Sequence, residues 1–349
     1  MNASPELSPR ERFLRACRCR VVDRTPGWLM RQAGRYMEEY QAVRRGRSFL
    51  ELCKSPELCR DVTMQPIDVL GLETAIVFSD ILLPCEAMGQ SLVFEEKRGP
   101  VLGPVVRDRA AVEGLRDFEA ARATPWPAET IRLLREPLGP DRALIGFCGA
   151  PFTMAAYMVE GGGSRQFENV KRMMWGEPET LELLLERITD NLIGYLRAQI
   201  EAGADAVQIF DSWAGTLDQA AYQRFAHQWT AKLIRGVADL GAPVISYVNG
   251  CDHLLEIMAG SGADVVAIDW RVDPGEALMR VGGQVAIQGN LDPTALLATP
   301  EVAARETRRT LEAFAGAPGY IFNVGSGVLQ WTPVACAEAV VRTLRSWGS

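Results

Sequence analysis

Short apolar runs rich in β-branched residues recur along the chain, and longer stretches between them return an apolar residue every three or four positions. Runs at 25–30, 73–78, 143–147, 205–210, 243–248, 264–268, 284–288 and 319–324 have the length and composition of buried strands. The stretch 177–201 (EPETLELLLERITDNLIGYLRAQIE) carries the clearest helical period, followed by 217–240. Eight strands alternating with helices over 349 residues predict an α/β fold: one (β/α)8 TIM barrel domain spanning 1–349. An open doubly wound sheet fits the same alternation. The segment 92–106 (LVFEEKRGPVLGPVV), with its Gly-Pro turn, reads as a hairpin inserted after the second strand.

A barrel of this kind holds its active site at the C-terminal ends of the strands. Those ends read Arg31, Ser79-Asp80, Gly149-Ala150-Pro151, Asp211-Ser212-Trp213, Tyr247-Val248-Asn249, Asp269-Trp270, Gly289-Asn290 and Gly325-Ser326. One polar residue after a strand is ordinary turn chemistry. A polar residue or glycine at nearly every strand end points to a site.

With 48% hydrophobic residues the chain can bury a large core. The N-terminal stretch MNASPELSPRERFLRAC has no apolar segment behind its charges, so no signal peptide is expected, and no apolar run approaches the ~18 residues of a membrane helix. Eight scattered cysteines without a CxxC pair read as reduced, packed thiols. A cytoplasmic protein without membrane or nucleic-acid partners is the expectation.

Charge is unevenly spread. Residues 1–60 hold 13 Lys+Arg and 7 Asp+Glu, a net of +6, on a chain whose total is -7. A basic segment on an acidic protein suggests a local anionic partner. Arg10, Arg12, Arg15, Arg18 and Arg20 read as solvating a helix or tail. Arg31 and Arg35 differ, because they follow the apolar Trp28-Leu29-Met30 at a strand end.

Asp80 reads either as the cap of the following helix or as an acceptor or acid/base group with a shifted pKa. Gly161-Gly162-Gly163 reads as a turn more readily than as a phosphate cradle, since no GxGxxG or P-loop pattern accompanies it. The two histidines, His227 and His253, read as packing or helix-end residues. That leaves a zinc site and a Ser-His-Asp triad poorly supported.

The stretches PGWLMRQAGRYMEEY, AIVFSDILLPCEAMG, GFCGAPFTMAAYMVEGG, IFDSWAG, LLEIMAGSGADVVAIDWR, VAIQGNLDP and FNVGSGV together resemble the uroporphyrinogen decarboxylase family, in family order from about residue 10 to the C-terminal helix. The resemblance implies a cytoplasmic homodimer working without metal or organic cofactor. Its substrate, uroporphyrinogen III, is a flexible cyclic tetrapyrrole with carboxylates around its rim, and its four acetates lose CO₂ to become methyls, giving coproporphyrinogen III in haem synthesis. By the same resemblance Arg31, Arg35 and Arg44 bind substrate carboxylates, which arginine grips with parallel N–H bonds. Asp80 accepts from pyrrole N–H groups and stabilises the protonated pyrrole, with Arg31 beside it in the catalytic set. Tyr157 and Ser212 hydrogen-bond the substrate, and Phe210 lines the pocket. The family's last strand usually ends Gly-His-Gly, whereas this chain has Ser326 between its two glycines. Two other readings remain open. A corrinoid-linked methyltransferase of the same barrel type needs His-x-Cys after the fifth strand, where the chain reads Tyr247-Val248-Asn249; Cys251 and His253 lie slightly further on. A non-catalytic tetrapyrrole-binding protein is the other.

Overall fold

The computed structural model describes residues 6–96 and 98–348. Its main sheet holds seven strands: β1 (Thr74–Ile76), β4 (Ala143–Gly149), β5 (Ala206–Asp211), β6 (Val244–Val248), β7 (Val265–Ala267), β8 (Ala286–Leu291) and β9 (Tyr320–Val324), paired in that order and all parallel. Every residue of β4, β6, β7, β8 and β9 is buried, as expected of a curled parallel sheet with helices outside and packed side chains inside. The inserted hairpin is present as β2 (Ser91–Glu95) and β3 (Gly99–Gly103), paired antiparallel. The long helix is present as Pro178–Glu201.

One strand expectation needs correction. The run at 25–30 is no strand; it contributes a single parallel bridge, Gly27 to Phe322 of β9. Pro26 has no N–H to donate, though its carbonyl accepts from Phe322 N at 2.9 Å. Two further donors turn to side chains: Leu29 N to Gln32 Oε1 (3.2 Å) and Met30 N to Asn323 Oδ1 (2.8 Å). On the far side Gln32 Nε2 donates to Thr74 O of β1 at 3.2 Å, so a side chain stands where a ladder would be. The stretch 217–240 is helical from Gln219, capped by Asp218, to Arg235, with a π-turn over Gln223–His227 inside it.

The first helix also differs from expectation. Ser8 caps Pro9–Cys17. Arg12 within it is fully buried, not solvated, and bonds Asp23 at 2.7 Å and Glu73 at 3.2 Å. Arg10 reaches Asp205 at 2.7 Å. Glu73 and Asp205 immediately precede β1 and β5, so these arginines bind the N-terminal ends of the strands, the face that serves stability. Stranding the buried Arg12 by removing its carboxylate partners costs about 3–5 kcal/mol, whereas the half-exposed Arg10 pair contributes less. Arg31, Arg35 and Arg44 lie beyond the extended stretch, toward the opposite face. Gly161-Gly162-Gly163 is a turn: Gly161 ends Pro151–Glu160 at φ 78, and Gly162 bridges Val101 of the hairpin. The eight cysteines are free thiols. Among the described residues no helix is long and apolar enough to cross a membrane.

Candidate active site

The extended stretch delivers Arg31 to the strand-end face in an unusual backbone conformation. Its φ is +61°, a left-handed value that a non-glycine residue adopts at a cost of about 1–2 kcal/mol. Bonds on both sides fix it: Met30 N to Asn323, Val328 N to Met30 O at 2.8 Å, and Gln32 N to Leu29 O at 2.8 Å. Tyr36 donates its hydroxyl to Gln32 O at 2.5 Å. The Arg31 stem passes over Gly327, where a Cβ would lie 2.5 Å from Arg31 Cδ and 2.9 Å from Cγ. Gly327 therefore clears the path of this side chain, while Gly325 lies against Trp270, whose Cα would be 2.8 Å from a Cβ there.

Asp80 lies four residues past β1. The end of that strand is pinned by Thr63 of the helix Pro56–Leu70, whose Oγ1 accepts from Phe78 N at 2.9 Å. Asp80 Oδ1 accepts from Leu82 N at 2.8 Å, a local turn bond; it does not cap the following helix Leu83–Ala87, whose N-cap is Leu82 without a side-chain cap bond. Protein encloses the carboxyl, yet the residue keeps a window to solvent. Burial pushes its pKa up to about 6, against the opposing pull of the Leu82 N–H and the Arg31 charge. Arg31 and Asp80 both act on the Tyr157 hydroxyl, which burial pushes up to about 12.

Tyr157 projects from Pro151–Glu160 and meets the Trp213 ring edge-on at 5.8 Å. Thr153, one turn earlier, ties that helix to the end of β5: its Oγ1 donates to Asp211 Oδ1 at 2.6 Å and accepts from Trp213 N at 3.2 Å. Ser212 sits half-buried between Asp211 and Trp213. Asp211 is buried without a cation beside it among the described residues, and burial raises its pKa to about 7. Phe210 packs edge-on against Phe147 (5.6 Å) and Tyr247 (6.0 Å). The Tyr247 hydroxyl donates to Gly325 O at 3.1 Å and has Ser326 as a neighbour.

Arg31, Asp80 and Tyr157 thus share one neighbourhood, with Ser212 one residue from the Trp213 that Tyr157 touches. Ser326 joins it through Gly327 and Arg31. Arg35 and Arg44 stand further out, around Tyr40, on which both charges act. Arg35 is exposed; Arg44 lies 5.9 Å over the Phe49 ring and donates to Arg47 O. Phe49 in turn packs on Phe78, two residues before Asp80. Gln32, Asn323 and Thr153, which hold these groups in place, carry no signal in the sequence. His253 Nε2 lies 2.7 Å from Leu217 O, a helix-end contact. Among the described residues no three His, Cys, Asp or Glu side chains gather closely enough to hold a metal.

The family model described as uroporphyrinogen decarboxylase (URO-D) matches residues 8–347. The chain belongs to the uroporphyrinogen decarboxylase family. A relative named uroporphyrinogen decarboxylase in Syntrophotalea carbinolica is 50% identical over 94% of this chain and 95% of its own length. One of the same name in Geobacter metallireducens is 49% identical over 92% of this chain and 94% of its own. Among solved structures, a methyltransferase from Methanosarcina mazei superposes with a TM-score of 0.84, covering 97% of this chain and 99% of that one at 22% identity. A B12-independent methionine synthase from Shewanella sp. W3-18-1 gives 0.57 over 92% and 96% at 13% identity. At those identities the likeness is one of fold. Within the family this chain has Ser326 between Gly325 and Gly327, the place where the resemblance calls for a histidine.

Proposed function

We propose that this chain converts uroporphyrinogen III to coproporphyrinogen III by decarboxylating its four acetate side chains, without metal or organic cofactor. The observation that carries this reading is Asp80. It is an enclosed carboxyl at a strand end, raised to about 6 and faced by Arg31. Above that pH it presents a negative charge inside a basic rim. Pyrrole N–H groups donate to it, and the cation formed when a pyrrole ring is protonated is stabilised by it. A preorganised charge aimed at a developing one is commonly the largest catalytic contribution.

In each round a proton adds to the pyrrole ring carrying the acetate. The resulting cation draws the electron pair of the breaking C–C bond, and CO₂ leaves. The exocyclic carbon then takes a proton and becomes methyl, while the ring returns its own. Each acetate consumes one proton overall and releases one CO₂. Arg31, Arg35 and Arg44 hold the carboxylates that are not reacting. Tyr157 and Ser212 donate neutral hydrogen bonds, and Ser326 does so at the mouth of β9. The barrel closes through the stretch 25–32, which spans β9 and β1 and acts as an eighth stave within one domain. The working protein is a cytoplasmic homodimer that binds no nucleic acid.

Asp80→Asn keeps the shape and removes the charge. Anaerobic turnover of uroporphyrinogen should fall at least ~10²-fold, the size seen when a preorganised electrostatic contact is lost. Parental turnover by a folded Asp80→Asn variant would remove this role. The methyltransferase reading is disfavoured because the zinc-binding His-x-Cys position at the end of β6 reads Tyr247-Val248-Asn249.

A further inference from the structure

The arginines assigned above, Arg31, Arg35 and Arg44, all come from one segment of the chain. A cyclic substrate with carboxylates around its whole rim also presents charge to the opposite side. The connections running from β5, β6, β7, β8 and β9 to the next α-helix (212–218, 249–254, 268–273, 292–299 and 325–333) contain a single lysine or arginine, Arg271.

Arg271 is held ready for a ligand. Its guanidinium lies 3.9 Å from the centre of the Trp270 ring. Nη1 donates to Asn249 Oδ1 at 3.3 Å and Asp269 Oδ1 at 3.1 Å. Nε and Nη2 make no hydrogen bond among the described residues, and the side chain is 52% exposed. Asp269 does not depend on this guanidinium: it already accepts from the backbone N–H of Gly250 (2.6 Å), Cys251 (3.0 Å) and Arg271 (2.9 Å). Stacking and the Nη1 anchor fix the plane, and an unpaired edge with the geometry to grip a carboxylate remains.

Its surroundings belong to the site. The loop of Gly325 and Ser326 packs against the backbone of Asp269 and Trp270; a Cβ on Gly325 would lie 2.9 Å from Asp269 C. Two residues on, Gly327 underlies the Arg31 stem. Ser326 therefore sits between two arginines, and Tyr247 has both Ser326 and the Arg271 charge as neighbours. Ser326 itself carries no charge.

We propose that Arg271 is a substrate-binding residue whose free guanidinium edge takes a side-chain carboxylate of the tetrapyrrole across the ring from Arg31, supplying the charge that Ser326 lacks. This rests on the decarboxylase reading.

The test is the anaerobic steady-state kinetics of uroporphyrinogen with the parent, Arg271→Gln, Arg271→Ala and Arg271→Lys, beside thermal melts. Glutamine keeps a donor for Asn249 and Asp269 without charge, so it separates anchoring from charge. Loss of a charged hydrogen bond predicts a rise in KM of about tenfold or more for glutamine and alanine, with kcat within about threefold and unchanged melting. Lysine should recover part of that loss. An unchanged KM in the glutamine variant, a fall confined to kcat, or a lysine variant no better than glutamine overturns the assignment of Arg271. An inert parent would instead bring down the decarboxylase reading.

Discussion

Gly327→Ala offers a sharp perturbation because its damage is directed at one side chain. The φ of Gly327 does not lie in the left-handed region, so alanine suits the backbone. Its Cβ, however, would stand 2.5 Å from Arg31 Cδ, 2.9 Å from Cγ and 3.0 Å from Nε. The Arg31 backbone cannot yield easily, since φ +61° is held by Asn323 and Val328 on either side. The side chain must therefore rotate away and lose its carboxylate. A charged hydrogen bond contributes about 1.5–3 kcal/mol, so kcat/KM should fall by roughly 10- to 150-fold. Stability should change little, because the clash is with a flexible, exposed side chain. The assay is kcat/KM for uroporphyrinogen under anaerobic conditions in a double-mutant cycle with Arg31→Ala. Once Arg31 is truncated there is nothing to displace, and Gly327→Ala should cost less than about twofold more. Parental activity in Gly327→Ala, or an equal loss in both backgrounds, would show that Gly327 does not act through Arg31.

Other outcomes follow from the same geometry. Asp80 must be ionised to stabilise a cation, so kcat/KM should rise as pH climbs through about 6, and this acid limb should vanish in Asp80→Asn; a pH profile of both proteins checks it. Arg31→Lys and Arg35→Lys should each leave a measurable rise in KM, because lysine lacks the planar fork, and binding equal to the parent in both would count against bidentate contacts. Ser326→His should keep or modestly raise activity, since the intact Gly325 and Gly327 frame holds the loop and a longer donor is restored; product profiles of the two proteins side by side decide this, and a large loss would show that serine is required there. Between about pH 4 and 7 the parent should lose stability, because folded Asp211, with its pKa raised to about 7, still holds a proton that the unfolded chain has given up; the loss levels off above 7, and Asp211→Asn should flatten that slope in thermal melts.

The strand-end residues could be read from sequence because parallel strands place all their C-terminal ends on one face. Arg31 and Asp80 accordingly meet, although 49 positions separate them, whereas Tyr157, inside the helix Pro151–Glu160, was implied by the family resemblance alone. The run 25–30 misled because its composition is that of a strand, while its donors are taken by Gln32 and Asn323, the latter remote in sequence. Arg12 misled for a related reason: an arginine in a basic helix looks solvated until Asp23 and Glu73 fold over it. The π-turn at Gln223–His227 leaves the apolar period nearly intact, so periodicity alone could not reveal it. Gly327 was legible as half of a glycine frame, but its service to Arg31 depends on a contact across the site.

The decisive experiment on the decarboxylase is to incubate the purified, chelator-dialysed protein anaerobically with uroporphyrinogen III and resolve the products by chromatography. Coproporphyrinogen III should accumulate with four CO₂ released per macrocycle, at a rate unaffected by chelation. A folded protein that yields no decarboxylated product, or one that acts only after zinc or a corrinoid is supplied, would contradict the decarboxylase assignment.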